Sequence, residues 1–549
     1  MNRRTFLKHT AIAGTTLLSG GPAPTEPHQD GLALATAADE QPNILVIMVD
    51  QLRYPRWFPT QAVLDTLLPS LARLRTGAVN FGQHYVAASA CTPSRACLLT
   101  GLYTHQTGCL LTLHSRSQPA LHPGFPTWGT LLRGLGYQTF WYGKWHLSFN
   151  GCALDPYGFA GGTCYADASY GPNGKVGEGL ARDPEIADQF IGWLESQGHL
   201  GPWCTTVSFV NPHDIAWYPR GTDLVPGQSD PPRRFTQLPP NFETPDDRHA
   251  RTKPRLQHAL QEAAAYHLGG LPFAGPDWQA GWLKLLDLYL QVQQTVDTQI
   301  GRVLDALAAS SAAERTVVIF TSDHGEYAGS HGLRAKGFAI YEEGIRVPLM
   351  VHDPTGRFIS SPEVERRQLT SSVDILPLML TLASNGNAWR ALPAYAHLAN
   401  RLDLAAILRD PNAPGRPYIL STSDEDGWSD VPYTPEVVNA PKHVIGYRTP
   451  VGKLGVYNHW AAGSLAPAAT GQETECYDYA TETGLLELDN IAPTRPPLYS
   501  QLAVELLQDA GPNELRNPLP APLLSVQRAA IQAYLASQQK KLFLPLVTR

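Results

Sequence analysis

The sequence predicts a doubly wound α/β sheet with a smaller C-terminal antiparallel α+β subdomain, and three observations carry that reading. Short runs at Asn43 to Val49, Gln138 to Trp141, Thr205 to Val210 and Thr316 to Phe320 are apolar on both faces, as parallel strands buried between helices are. Helical spacing fills the intervals: Leu285, Leu288, Val292, Val296, Val303 and Leu307 line one face of a long segment that ends before the TVVIF run. From about Asn385 the pattern changes to Pro and Asn spacers with short strand-like pieces.

The elements follow in order. Asn43 to Val49 opens the sheet, the next two runs extend it, and Thr316 to Phe320 follows the long helix, so β-α-β units repeat with helices on both faces. GIRVPLMV returns as a further strand. Beyond it PYILSTS, His443 to Arg448 and Lys453 to Tyr457 read as antiparallel strands, and Glu475 to Ala492 precedes a last helix. Residues 42–415 are expected to form the main domain, and 416–549 the C-terminal subdomain and tail.

The 549 residues are 43% apolar and 17% charged, as in ordinary soluble proteins, and suffice for a large core. A formal net charge of -7 lacks the basic footprint that nucleic acid demands, so nucleic acid is excluded as a partner. The basic stretches Pro231 to Arg234 and Arg248 to Arg255 stand beside acids and prolines and read as solvated loops. At the start, Arg3 and Arg4 precede a small-residue apolar run from Ala11 to Leu18 that is too short to span a bilayer. This resembles a twin-arginine signal, which implies export by the twin-arginine translocase to the periplasm, the exterior or the cell surface. Residues 1–41 are expected to be signal peptide and linker, with cleavage after Ala23 or within Ala35 to Ala38. Setting Cys91 aside, the other six of the seven cysteines permit disulfides in an exported protein, with Cys152 and Cys164 the expected pair. No CxxC spacing suggests structural zinc.

In sheets of this kind ligands collect at the carboxyl ends of the strands. Chemistry-bearing residues stand at those ends: Asp50 and Gln51 after the first run, Lys144 and His146 in GKWHL after the second, His213 in NPHD after the third, and Asp323 with His324 after the fourth. Oxygen and nitrogen donors from Asp50, Gln51, Asp323 and His324 suit one divalent cation. Lys336 follows in a Gly-rich loop. The string CTPSRACLLTG, from Cys91 to Gly101, joins a cysteine to Pro93, Ser94 and Arg95 at fixed offsets.

That string resembles the maturation signature of the type I sulfatases, formylglycine-dependent members of the alkaline phosphatase superfamily. The resemblance runs from Asn43 to about Ala492. It implies an alkaline-phosphatase-like fold and a formylglycine-generating enzyme that oxidises Cys91 in the unfolded chain. It also implies a metal held by Asp50, Gln51, Asp323, His324 and the modified Cys91, with Arg95, Lys144 and Lys336 as positive charge around the ester. Many sulfatases carry Asp where this chain has Gln51 and Asn where it has His324. The chain is similar here to the branch containing choline-sulfatase-like enzymes and phosphonate monoester hydrolases. The family implies Ca²⁺, with Mn²⁺ or Mg²⁺ as alternatives; the imidazole of His324 favours Mn²⁺.

By the same resemblance, hydrated formylglycine attacks sulfur in line while His213 and Lys336 meet the departing alkoxide. His146 then takes a proton from the second geminal hydroxyl, and sulfate leaves by C–O cleavage. The expected function is hydrolysis of small-molecule or carbohydrate sulfate esters. A phosphonate monoester or phosphodiester hydrolase is the alternative, and an exported binding protein without turnover is the second. The segment from Ile215 to Gly281 is expected to border the pocket, where Trp217, Tyr218 and Trp278 either stack on a sugar or pack the segment down.

Overall fold

The structure is a computed structural model that describes residues 41–56, 59–113, 118–163, 177–221, 224–225, 230–425, 431–515 and 519–543. The expected leader with Arg3 and Arg4, and Cys164, lie outside the described residues. Cys152 is disulfide-bonded, while Cys91, Cys97, Cys109, Cys204 and Cys476 are free thiols.

Among the described residues the strands are, in chain order, β1 (Asn43–Asp50), β2 (Val79–Phe81), β3 (His84–Tyr85), β4 (Gln138–Gly143), β5 (Ala160–Gly161), β6 (Trp203–Pro212), β7 (Thr316–Ser322), β8 (Leu349–His352), β9 (Thr370–Ser371), β10 (Ile419–Ser423), β11 (His443–Thr449), β12 (Gly452–Asn458) and β13 (Glu473–Asp478). Seven form the main sheet in the order β2-β8-β7-β1-β6-β4-β5. β1 lies at its centre, parallel to β6 on one side and β7 on the other, with β4 parallel to β6. The carboxyl ends of these four strands therefore share one edge.

β1 and β7 are buried along their whole length because helices cover both faces. Leu45, Ile47 and Val49 point to one face, as the two-residue strand period requires, and pack with Ile186 and Phe190 of the helix Glu178–Gln197 and with Val296, Ile300 and Val303 of the helix Trp278–Ala309. The second of these helices is the long periodic segment anticipated from Leu285 to Leu307. The sheet is not wholly parallel, since β8 pairs antiparallel with β7. Between them the chain builds a loop over the sheet edge and the short helix Glu342–Ile345 in place of a full crossover helix, so it returns in the opposite direction.

β10 to β13 form a separate four-stranded antiparallel sheet. Its Leu420, Tyr447, Leu454 and Cys476 share a core with Cys97, Tyr103 and Val373, which ties it to the helix Cys91–Thr100. One sequence expectation is revised and one open choice is decided. Arg248 is fully buried and donates to the carbonyl of His331 at 2.7 Å, and Lys253 donates to the Tyr477 hydroxyl at 2.8 Å, so Arg248 to Arg255 docks on β13 and is not a solvated loop. Of the two uses open to Trp217, Tyr218 and Trp278, the structure takes packing: all three join a cluster with Trp282, Leu285 and Tyr289.

Candidate active site

Asp50 ends β1 and Asp323 follows β7 on the neighbouring strand, so their carboxylates meet at the sheet edge. Arg95 lies between them. Its Nε donates to Asp323 Oδ2 at 2.8 Å, and Nη2 donates to Asp50 Oδ2 at 3.1 Å. Its Nη1 donates to the Lys144 carbonyl at 2.7 Å and to Ser208 Oγ at 3.1 Å. The guanidinium is 0% exposed. These bonds align the two carboxylates on one guanidinium. Pairing two buried carboxylates through one forked cation satisfies groups that would otherwise be costly to bury.

Cys91 is the first residue of the helix Cys91–Thr100, whose ten residues are all buried. Pro93 sits in the first turn, where its missing N–H costs nothing, and Gly101 closes the helix at a left-handed φ of 66°. The N-terminal dipole thereby points at residue 91 and favours negative charge there. Cys91 Sγ lies 3.1 Å from His324 Nε2 and 4.0 Å from Asp50 Oδ1. Burial and Asp50 both push the thiol up. Lys336, Lys144 and His324 outweigh them, and the thiol is held below its usual range.

Lys144 follows β4, where Gly143 has φ 98° and a Cβ would stand 2.0 Å from the Ser208 carbonyl. Glycine is required there so that Lys144 N–H can reach that carbonyl at 2.9 Å. Nζ of Lys144 then lies 2.7 Å from Asp50 Oδ2. Burial opposes its charge, but Asp50 and Cys91 raise its pKa. Burial alone would raise Asp50; Lys144 above all, with Lys336, holds it well below the carboxylate range.

His324 donates from Nδ1 to the Gly325 carbonyl at 3.0 Å, which turns Nε2 to the site; burial opposes charge on the ring, but Asp323 and Cys91 raise its pKa. Nε2 is 3.6 Å from Asp50 Oδ1 and 3.7 Å from Asp323 Oδ1. One ligand atom from each of Asp50, Cys91, Asp323 and His324 lies within 4.8 Å of the others. Gln51 takes a left-handed φ of 73°, its N–H donates to Asp323 Oδ1 at 3.1 Å, and its Oε1 accepts from Lys336 Nζ at 2.6 Å. The two carboxylates and the imidazole nitrogen are donors suited to a divalent cation of the Ca²⁺, Mn²⁺ or Mg²⁺ kind, and the amide oxygen of Gln51 is a donor of the same type on the residue next to Asp50.

His146 has φ 58° and is buried, and its carbonyl accepts from Thr92 Oγ1 at 2.8 Å, which fastens it beside residue 91. His213 begins the turn His213–Trp217 directly after β6. Burial, with Lys144 and Lys336 nearby, pushes its pKa well below the usual histidine value. The Asp183 carboxylate steadies this approach by accepting from Val210 N–H at 2.7 Å and Asn211 N–H at 3.1 Å. Direct contacts join Asp50, Gln51, Cys91, Arg95, Lys144, Asp323, His324 and Lys336 in one cluster. Sequence reasoning missed Thr92, Ser208, Glu326 and Tyr289. Glu326 carried a signal, as an acid two residues beyond His324; a serine inside an apolar strand carried none.

A mixed α/β sheet with candidate cation ligands and lysines at the carboxyl ends of its parallel strands is an alkaline-phosphatase-like arrangement. The model of the sulfatase family matches residues 42–385. The chain belongs to the sulfatase family of that superfamily and is a sulfuric ester hydrolase. It is 29% identical over 370 residues to the uncharacterized sulfatase YidJ of Escherichia coli strain K12, covering 63% of this chain and 68% of that protein. It is 26% identical over 490 residues to a Delta 4,5-hexuronate-2-O-sulfatase of Bacteroides thetaiotaomicron, covering 86% of this chain and 90% of that protein. Among solved structures, the phosphonate monoester hydrolase SpPMH of Silicibacter pomeroyi superposes with a TM-score of 0.64 at 20% identity, over 87% of this chain and 96% of that one.

Proposed function

We propose that the protein hydrolyses sulfate esters of a small molecule or carbohydrate, using formylglycine made from Cys91 and one divalent cation, Ca²⁺ in first place. The observation that carries this reading is the meeting of Cys91, at a helix N-terminus, with Asp50, Asp323 and His324 within 4.8 Å, flanked by Lys144. Asp50, Gln51, Asp323 and His324 would hold the cation, which when bound neutralises ester oxygens and lowers the pKa of the nucleophile. An aldehyde hydrate at residue 91 supplies one hydroxyl to attack and a second to release sulfate, which neither Ser nor Cys has.

The chain's own residues do the rest. Lys144, which is buried, and Lys336, which is partly buried, hold the anionic oxygens where charge acts more strongly than in water. Arg95 keeps Asp50 and Asp323 fixed while the ester enters. His146 takes the proton from residue 91. His213 is neutral in the free site; an entering anion offsets Lys144 and Lys336 and lets it protonate, ready to serve the departing alkoxide.

The hexuronate sulfatase relative supports a sulfated carbohydrate as substrate class. The second reading is a phosphonate monoester or phosphodiester hydrolase. The Gln51 and His324 pair favours it, and so does the fold shared with SpPMH. Matched sulfate and phosphonate monoesters with one leaving group separate the two: the first reading expects the higher kcat/KM on sulfate, and the reverse order overturns it. The reading includes maturation by a formylglycine-generating enzyme and twin-arginine export to the periplasm or exterior, both supported by sequence alone.

A further inference from the structure

One buried acid beside the site enters none of these steps. Glu326, two residues past His324, is 1% exposed. Its Oε1 accepts from the backbone N–H groups of Ala328 at 3.0 Å and Ala335 at 2.6 Å, closing the loop whose next residue is Lys336. Its Oε2 accepts from Nε2 of Gln51. The other end of that amide, Gln51 Oε1, accepts from Lys336 Nζ at 2.6 Å. One carboxylate therefore holds both partners of the Gln51 and Lys336 contact.

The chemistry of the two neighbours decides how the amide faces. An ionised carboxylate only accepts and an ammonium only donates. Between them an amide has one satisfied orientation, with NH₂ toward Glu326 and oxygen toward Lys336. The Gln51 backbone is pinned separately, its N–H to Asp323 Oδ1 at 3.1 Å and its carbonyl by the Tyr289 hydroxyl at 2.8 Å. The direction of the amide is the freedom that remains.

We propose that Glu326 is a positioning residue: by holding the amide NH₂ of Gln51 it fixes the side-chain oxygen of Gln51 toward Lys336 and the cation. This rests on Gln51 being a ligand of the cation. A carboxylate serving only to close the loop from 328 to 335 would need no particular residue at position 51.

Glu326→Gln keeps an oxygen for Ala328 and Ala335 but turns an NH₂ toward the NH₂ of Gln51, so the amide must rotate or lose its bond. Gln51→Glu alone sets two carboxylates against each other. The double variant again faces one donor with one acceptor. Glu326→Gln is thus expected to weaken Ca²⁺ and Mn²⁺ binding about 10- to 100-fold when residue 51 is Gln, and to strengthen it when residue 51 is Glu. The readout is calorimetric titration of Ca²⁺, then Mn²⁺, into metal-stripped full-length protein, with the metal-free melting temperature as a check on folding. Equal weakening in both backgrounds, or no effect beside Gln51, overturns the proposal. Should Glu326→Gln alone fail to fold, the comparison of Gln51→Glu with the double variant decides: tighter binding by the double supports the proposal, and equal or weaker binding overturns it. Wild-type protein that binds neither ion overturns the cation reading and this proposal together. Ion binding without sulfate hydrolysis overturns the function alone.

Discussion

Cys91 Sγ lies 3.1 Å from Nε2 of His324, the ring nitrogen turned to the site because Nδ1 donates to the Gly325 carbonyl. A side chain at the start of a helix is thereby placed against a nitrogen donor from the neighbouring strand end. Any oxygen carried at position 91 would share that donor with Asp50 and Asp323. The chemistry of the site turns on what residue 91 bears.

Cys91→Ala is expected to lower kcat on a sulfate ester by about 10⁶-fold, the scale of loss of a covalent nucleophile. Unfolding free energy should change by no more than about 1 kcal/mol, since the side chain is small. Turnover at the wild-type rate contradicts the assignment.

Arg95 makes the opposite prediction. Arg95→Ala leaves the buried carboxylates of Asp50 and Asp323 without their shared cation, so urea unfolding should show a loss of about 3–5 kcal/mol. Arg95→Lys should recover only part of this, because an ammonium has no planar fork. A variant of wild-type stability with a raised KM would return Arg95 to the ester-binding role first read from the sequence.

His213→Ala should cost most where the leaving group is poor. With alkyl sulfates the expected loss in kcat/KM is about 10²- to 10⁴-fold, shrinking for a nitrophenyl sulfate that departs without a proton. A loss independent of leaving-group pKa removes the acid role.

Stability should depend on pH through histidines outside the candidate site. Burial lowers His84 to about 3 and His105 to about 4. Unfolding frees each to protonate near 6.5, so the unfolded chain binds the extra protons between those values. Their contribution is complete above about pH 6.5 and is lost as pH falls toward 3 or 4. His84→Gln should flatten the slope of unfolding free energy between pH 6 and 5 by about 1.4 kcal/mol per unit. An unchanged slope contradicts the buried neutral imidazole.

Much of this was legible in the chain, for definite reasons. β1 and β7 are apolar on both faces, so the sequence alone places their ends, and with them Asp50 and Asp323, on one edge. The CTPSR string marked residue 91. What escaped was set by packing between distant segments. Nothing in sequence says that the donors of Arg95 face inward, that Ser208 inside an apolar strand receives one of them, or that Glu326 backs Gln51. The aromatics from Trp217 to Trp278 looked alike as platform or filler, and only their cluster around Trp282 distinguishes the two.

The most direct test is the mass of the proteolytic peptide carrying residue 91, from protein made in a host that has the formylglycine-generating enzyme. The account predicts the aldehyde or its hydrate at that position. An unmodified Cys91 from such a host contradicts it, and would mean that this buried constellation serves a different nucleophile or none.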